Sequence, residues 1–201
     1  MTVSSITTPA AAPLRLLYPL DIVYRRAGAR LPGVDAVSAQ ELPDPERALL
    51  EHDGSMTRML ERHFGENLVL RTLSTLFDDE RYFRHILLTK AGSDRPVEMA
   101  AVRLMLQRFS PSVREQIVRL RAPLGRVLDQ GGVQYRSVPR RFLAVHPDAG
   151  MMAVFRMAEA RTVYGRQTDL LSGEQCVGHI IEILTPECQR RTHGSPAWGA
   201  S

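Results

Sequence analysis

Val177-Gly-His-Ile-Ile-Glu-Ile-Leu-Thr-Pro186 decides how this chain is read. Taken as a strand, its side chains alternate between faces, so Glu182 shares its face with Ile180 and Leu184. A carboxylate there is costly without a partner. Tyr82-Phe-Arg-His-Ile-Leu-Leu-Thr89 carries the opposite charge in the same kind of place, with Arg84 pointing alongside Tyr82, Ile86 and Leu88. Burying either ion alone costs on the order of several kcal/mol, so each is expected to be compensated by the other or by a polar ligand. The two residues therefore mark one site.

Working outward, Thr162 to Leu171 and Cys176 to Thr185, joined by Ser-Gly-Glu, form a hairpin. Upstream, Leu68 to Leu76, Tyr82 to Thr89 and Val97 to Leu106 are β-branched and apolar runs separated by Asp78-Asp79 and Gly92-Ser93-Asp94, an antiparallel meander. A further strand runs from Val133 to Leu143 after a double glycine. Its Arg-rich part, Gln134 to Phe142, reads as an exposed edge protected by charge.

Helices are expected at Asp44 to Glu51, with Pro45 in the first turn, and at Met56 to Phe64, capped by Ser55 and ended by Gly65. Ser110 can cap another through Val113, Ile117 and Leu120, and Pro123-Leu-Gly125 opens one running to Leu128. The stretch from Pro147 to Ala160 is helical, with Met151, Met152 and Met157 as core filler. The fold class is α+β, a single antiparallel sheet flanked by helices.

The chain has 201 residues, 44% of them hydrophobic, which suits one domain over residues 14–188. The polar, Gly/Pro/Ser-rich ends, 1–13 and 189–201, read as disordered. The net charge is +4 and the pI near 9.5, but the bases are interleaved with acids from Arg15 to Arg191, which argues against a nucleic-acid partner. Cys176 and Cys188 lack CxxC spacing and read as reduced thiols of a cytoplasmic protein. His179 and Glu182 face opposite ways on a strand and no HExxH occurs, so no metal is expected. Neither a signal peptide nor an 18-residue apolar run is present, so no membrane partner is expected either. A monomer is expected.

Four stretches together resemble the chorismate pyruvate-lyase family: Asp53-Gly-Ser-Met-Thr-Arg58, Tyr82-Phe-Arg-His-Ile-Leu-Leu88, Pro123-Leu-Gly-Arg-Val-Leu128, and the closing hairpin with Tyr164-Gly-Arg166, Leu171-Ser-Gly173 and Ile180-Ile-Glu-Ile-Leu-Thr-Pro186. The resemblance spans roughly Pro13 to Pro186 and implies a chorismate lyase-like fold with an internal ligand pocket between the sheet and helical flaps. It implies an enzyme that eliminates pyruvate from chorismate to give 4-hydroxybenzoate, for quinone or secondary-metabolite biosynthesis, without a cofactor. Position by position, Arg84 falls on the arginine that binds the ring carboxylate and Glu182 on the glutamate that contacts the ring hydroxyl. Met56 and Leu124 fall on residues whose backbone amides help hold the carboxylate. Glu182 then either assists proton loss or only positions the ring.

Two departures are visible: the segment from Val145 to Arg161 is longer than in compact members of the family, and one polar position lacks its counterpart. A polar position that the family places on the strand after Arg84 falls among Ala100, Ala101 and Val102, with Arg103 as a substitute only if the register shifts. Two other functions use the same pocket. A pericyclase would act on another cyclic natural-product intermediate, and a non-catalytic binding protein would resemble the effector domains of bacterial transcription regulators. Such regulators carry a winged helix before the sensor, and the region before Pro43 is short for one.

Overall fold

The computed structural model describes residues 16–78 and 81–189. The ends expected to be disordered lie outside the described residues, except Gln189, which closes a 3-10 turn over Pro186–Gln189. Seven strands form one antiparallel sheet: β1 Gly33–Val37, β2 Leu68–Asp78, β3 Arg81–Lys90, β4 Pro96–Met105, β5 Arg136–His146, β6 Val163–Ser172 and β7 Gln175–Leu184. Their order is β1-β5-β6-β7-β4-β3-β2, so the strand that carries Glu182 is the middle one. The expected meander is β2-β3-β4 and the expected hairpin β6-β7, closed at Gly173, whose φ of 57° suits a residue without Cβ.

Both faces of the sheet are covered. Helix α1 (Leu20–Arg26) and helix α6 (Ala149–Phe155) bury Leu17, Leu20, Met151 and Phe155 against Leu87, Ala101, Leu143 and Ile181. The other face carries α2 (Glu46–Leu50), α3 (Met56–Phe64), α4 (Pro111–Arg119) and α5 (Leu124–Gln130). The expected caps are in place: Ser55 Oγ accepts from Arg58 N at the start of α3, Gly65 ends it at φ 67°, and Ser110 Oγ accepts from Val113 N. Helix α1 and strand β1 are additions, because Leu20–Arg26 and Gly33–Val37 are short and neither carries a clear period.

The edge reading of Gln134 to Phe142 fits the first half of this strand, and its second half is interior. Strand β5 lies inside the sheet, with β1 paired to Phe142–His146. Only its first half has no strand on that side, and there the Ser137 amide donates to Asp53 O at 2.8 Å.

His85 on β3 points away from the sheet face that carries α3 and α5, is buried, and has an unpartnered Nε2. Burial drops its pKa from 6.5 to about 4. Between those values the unfolded chain holds a proton that the folded one refuses, so stability rises with pH through that window and falls on acidification. The melting temperature is expected to drop as pH goes from 6.5 to about 4, and His85→Phe should flatten part of that drop; an unchanged pH profile in the variant would show that other groups carry it.

Candidate functional site

Antiparallel register decides what meets on the helix-covered face. Arg84 on β3 stands opposite Val102 on β4; Ala100, two residues back, stands opposite Glu182 on β7; and Glu182 stands opposite Arg166 on β6. Alternation then puts Arg84, Glu98, Ala100, Val102, Glu182, Arg166 and Thr168 on one face.

Glu182 is held by its neighbours on β6. Its Oε2 accepts from Arg166 Nε at 2.6 Å and from Thr168 Oγ1 at 3.2 Å. Arg166 is fully buried and its Nη1 donates to Leu50 O at 2.9 Å and His52 O at 2.6 Å, the carbonyls where α2 ends. A guanidinium suits that place, because the last carbonyls of a helix lack intrahelical donors and carry partial negative charge. Arg166 also helps burial to push the neighbouring His52 down to a pKa of about 4.

Of the two compensations the sequence allowed, mutual pairing of Arg84 and Glu182 is not the one formed: Glu182 takes Arg166. Arg84 is left 2% exposed with Nε and Nη1 buried and unpartnered. Burial lowers its pKa to about 10, opposed by Tyr82 and Glu98, so it remains a cation at neutral pH.

Arg84 and Glu182 line one cavity of about 50 Å³, room for a few water molecules in its present state. Met56 and Leu124 line it too, each the first residue of its helix, α3 and α5. First-turn amides have no acceptor inside the helix. All four site residues expected from the sequence thus converge. The starts of α3 and α5 approach closely at Gly125: a Cβ there would overlap Ser55 Oγ and come within 3.1 Å of Tyr135 Oη. Ser55 and Tyr135, which share a hydrogen bond, also line the cavity.

Two residues at the cavity escaped the sequence reading. Arg166 was visible only as part of Tyr164-Gly-Arg166, and its carbonyl partners are more than a hundred residues away. Glu98 lies on the strand after Arg84, where a polar residue was sought among Ala100, Ala101 and Val102. Ala100 and Val102 do face the cavity, but the register from Glu98 to Leu104 is unbroken and Arg103 pairs with His179 on the opposite face, so Arg103 is no substitute. Glu98 instead supplies a carboxyl to the cavity. Burial and the Glu182 charge hold it well above the usual carboxylate range, with Arg166 and Arg84 opposing. The signal was alternation: Glu98 shares parity with Ala100 and Val102, the same oddity that singled out Glu182.

On the opposite face, ligand atoms of Asp169, Cys176 and His179 come within 4.8 Å of one another. His179 Nδ1 meets Asp169 Oδ1 at 2.9 Å, while Asp169 Oδ2 accepts from Arg140 Nε at 2.7 Å. His85 and His179 are thus sheet residues turned away from the cavity. Among the described residues no helix is long and apolar enough to cross a membrane.

No protein-family model matches the chain, and no curated protein matches it. Solved structures do. PhnF from Mycobacterium smegmatis aligns at a TM-score of 0.51 and 14% identity, over 90% of this chain and 99% of that one. The effector domain of PhnF from the same organism gives 0.50 and 18%, over 67% and 90%. A GntR-family transcriptional regulator from Bacillus cereus gives 0.46 and 10%, over 65% and 99%. At such identities the likeness is one of fold: the chain has the α+β fold of GntR effector domains, which is chorismate lyase-like.

Proposed function

We propose that the cavity binds a cyclic carboxylic acid and that the protein is a chorismate pyruvate-lyase. The observation that carries the reading is Arg84, a buried cation whose Nε and Nη1 have no partner and which lines a space that Glu182 also lines. A planar guanidinium grips a carboxylate bidentately, and more strongly where water is excluded. The first-turn amides of Met56 and Leu124 would complete the carboxylate site.

The reaction is redox-neutral. The C3–O bond of chorismate breaks, the hydrogen leaves C4, the enolpyruvyl methylene becomes the methyl group of pyruvate, and the ring becomes aromatic. Glu182 has one oxygen committed to Arg166 and Thr168, leaving Oε1 to accept from the 4-hydroxyl. With Oε2 held by Arg166 and Thr168, the carboxylate is fixed in place, an arrangement that serves to position the ring.

A second reading has its own support in the fold neighbours, one of which is described as an effector domain: the same pocket would sense a ring acid without converting it. Incubation of the purified protein with chorismate separates the two. Stoichiometric 4-hydroxybenzoate and pyruvate, followed by chromatography and a coupled assay, are expected. No product above spontaneous decay would overturn the lyase reading, and calorimetric binding of 4-hydroxybenzoate by the same sample would then favour the sensor.

A further inference from the structure

Glu98 stands on β4 between Leu88 of β3 and Leu184 of β7. It lies two strand positions from the level of Glu182 and four from that of Arg84, about 13 Å from the latter at ~3.3 Å per residue. The side chain is 2% exposed, lines the cavity, and among the described residues no donor reaches its carboxyl. Glu182, by contrast, has Arg166. An unpaired carboxyl in such surroundings is tolerated as the neutral acid, because the ion would be desolvated with no counter-charge bonded to it and with Glu182 close by. Burial and Glu182 raise its pKa accordingly. A neutral acid differs from an anion in having a proton to give.

Building on the carboxylate-site reading above, we propose that Glu98 is the second ligand-binding group of the cavity, a carboxylic acid that donates a hydrogen bond to an acceptor oxygen at the end of the ligand remote from Arg84. The donor sets the ligand class: a ring acid whose arm carries an acceptor oxygen, an ether, ketone or ester, gives the Glu98 proton a partner, and a bare ring acid does not. The enolpyruvyl arm of chorismate is one such arm.

The probes are 4-acetylbenzoate and its near-isostere 4-isopropylbenzoate, which lacks the acceptor. Their affinities are measured by calorimetry on the wild type, Glu98→Gln, Glu98→Leu and Arg84→Met. The wild type should prefer the acetyl compound about tenfold, the scale of one buried hydrogen bond. Glu98→Gln, which still offers N–H donors, should keep that preference, and Glu98→Leu should lose it. Equal preference in the wild type and Glu98→Leu overturns the proposal. So does its loss in Glu98→Gln, where an amide N–H still offers a donor at the same place.

Binding that needs Arg84 but ignores Glu98 sinks this proposal alone. No binding by the wild type, or binding indifferent to Arg84→Met, sinks the carboxylate-site reading and this proposal with it. Should Glu98→Leu fail to fold, the infrared difference between wild type and Glu98→Gln at neutral pH decides. The carbonyl stretch of a protonated carboxylic acid is expected in the wild type, and its absence overturns the proposal.

Discussion

Replacing Arg84 with methionine should raise the melting temperature while abolishing carboxylate binding. Nε and Nη1 of Arg84 are buried and bonded to nothing in the fold, so the empty protein carries the desolvation cost of a cation without its return. A methionine of similar volume removes that cost; replacing a whole buried ion pair by apolar residues stabilises by about 1–4 kcal/mol, and an unpaired cation should yield a gain of the same order, at roughly 2–4 °C per kcal/mol for a chain of this size. Ligand binding should weaken by about 2–5 kcal/mol, or roughly thirtyfold to several thousandfold. Thermal melts with and without 4-hydroxybenzoate measure both. A fall of several degrees in the unliganded variant would mean that Arg84 has a structural partner and is not held in reserve for a ligand.

Glu182→Ala should behave oppositely, losing stability as well as function. It leaves the fully buried Arg166 without its carboxylate, and breaking a buried pair from one side costs about 3–5 kcal/mol. Melting should fall by about 6–20 °C at the same conversion. Loss of turnover in that variant alone therefore says little about chemistry. Glu182→Gln keeps an acceptor for Arg166 and Thr168 and should retain more than half of the lost stability while still lowering turnover. A Glu182→Ala/Arg166→Met double variant should recover only part of the melting temperature, because Arg166 also holds the carbonyls of Leu50 and His52. Full recovery would show that those carbonyl bonds contribute nothing.

The contrast between these two charges explains what the sequence could disclose. Strand alternation exposed Arg84 and Glu182 as misplaced ions, since period two is a local property. It could not say which ion paired with which, because that depends on register across β3, β4, β7 and β6, set by strands up to a hundred residues apart. Local chemistry likewise disclosed α3 and α4 through Ser55, Gly65 and Ser110, and the β6-β7 hairpin through Gly173. Strand β1 was hidden because Gly33-Val-Asp-Ala-Val37 mixes polar and apolar residues over five positions and owes its place to β5. Glu98 was hidden because Pro96-Val-Glu-Met99 looks like the solvated beginning of a strand, yet it is flanked by Leu88 and Leu184 on the neighbouring strands and buried.

The hydrogen bond from Ser137 to Asp53 joins two matters that are otherwise separate. Asp53 opens the short link to Ser55 at the roof of the cavity, and Ser137 sits on the half of β5 that β1 leaves uncovered. A roof lifted far enough to break that bond would bare a strand margin able to recruit another chain. The Ser137 amide thus covers part of the open margin of β5 while it ties the link above the cavity to the sheet.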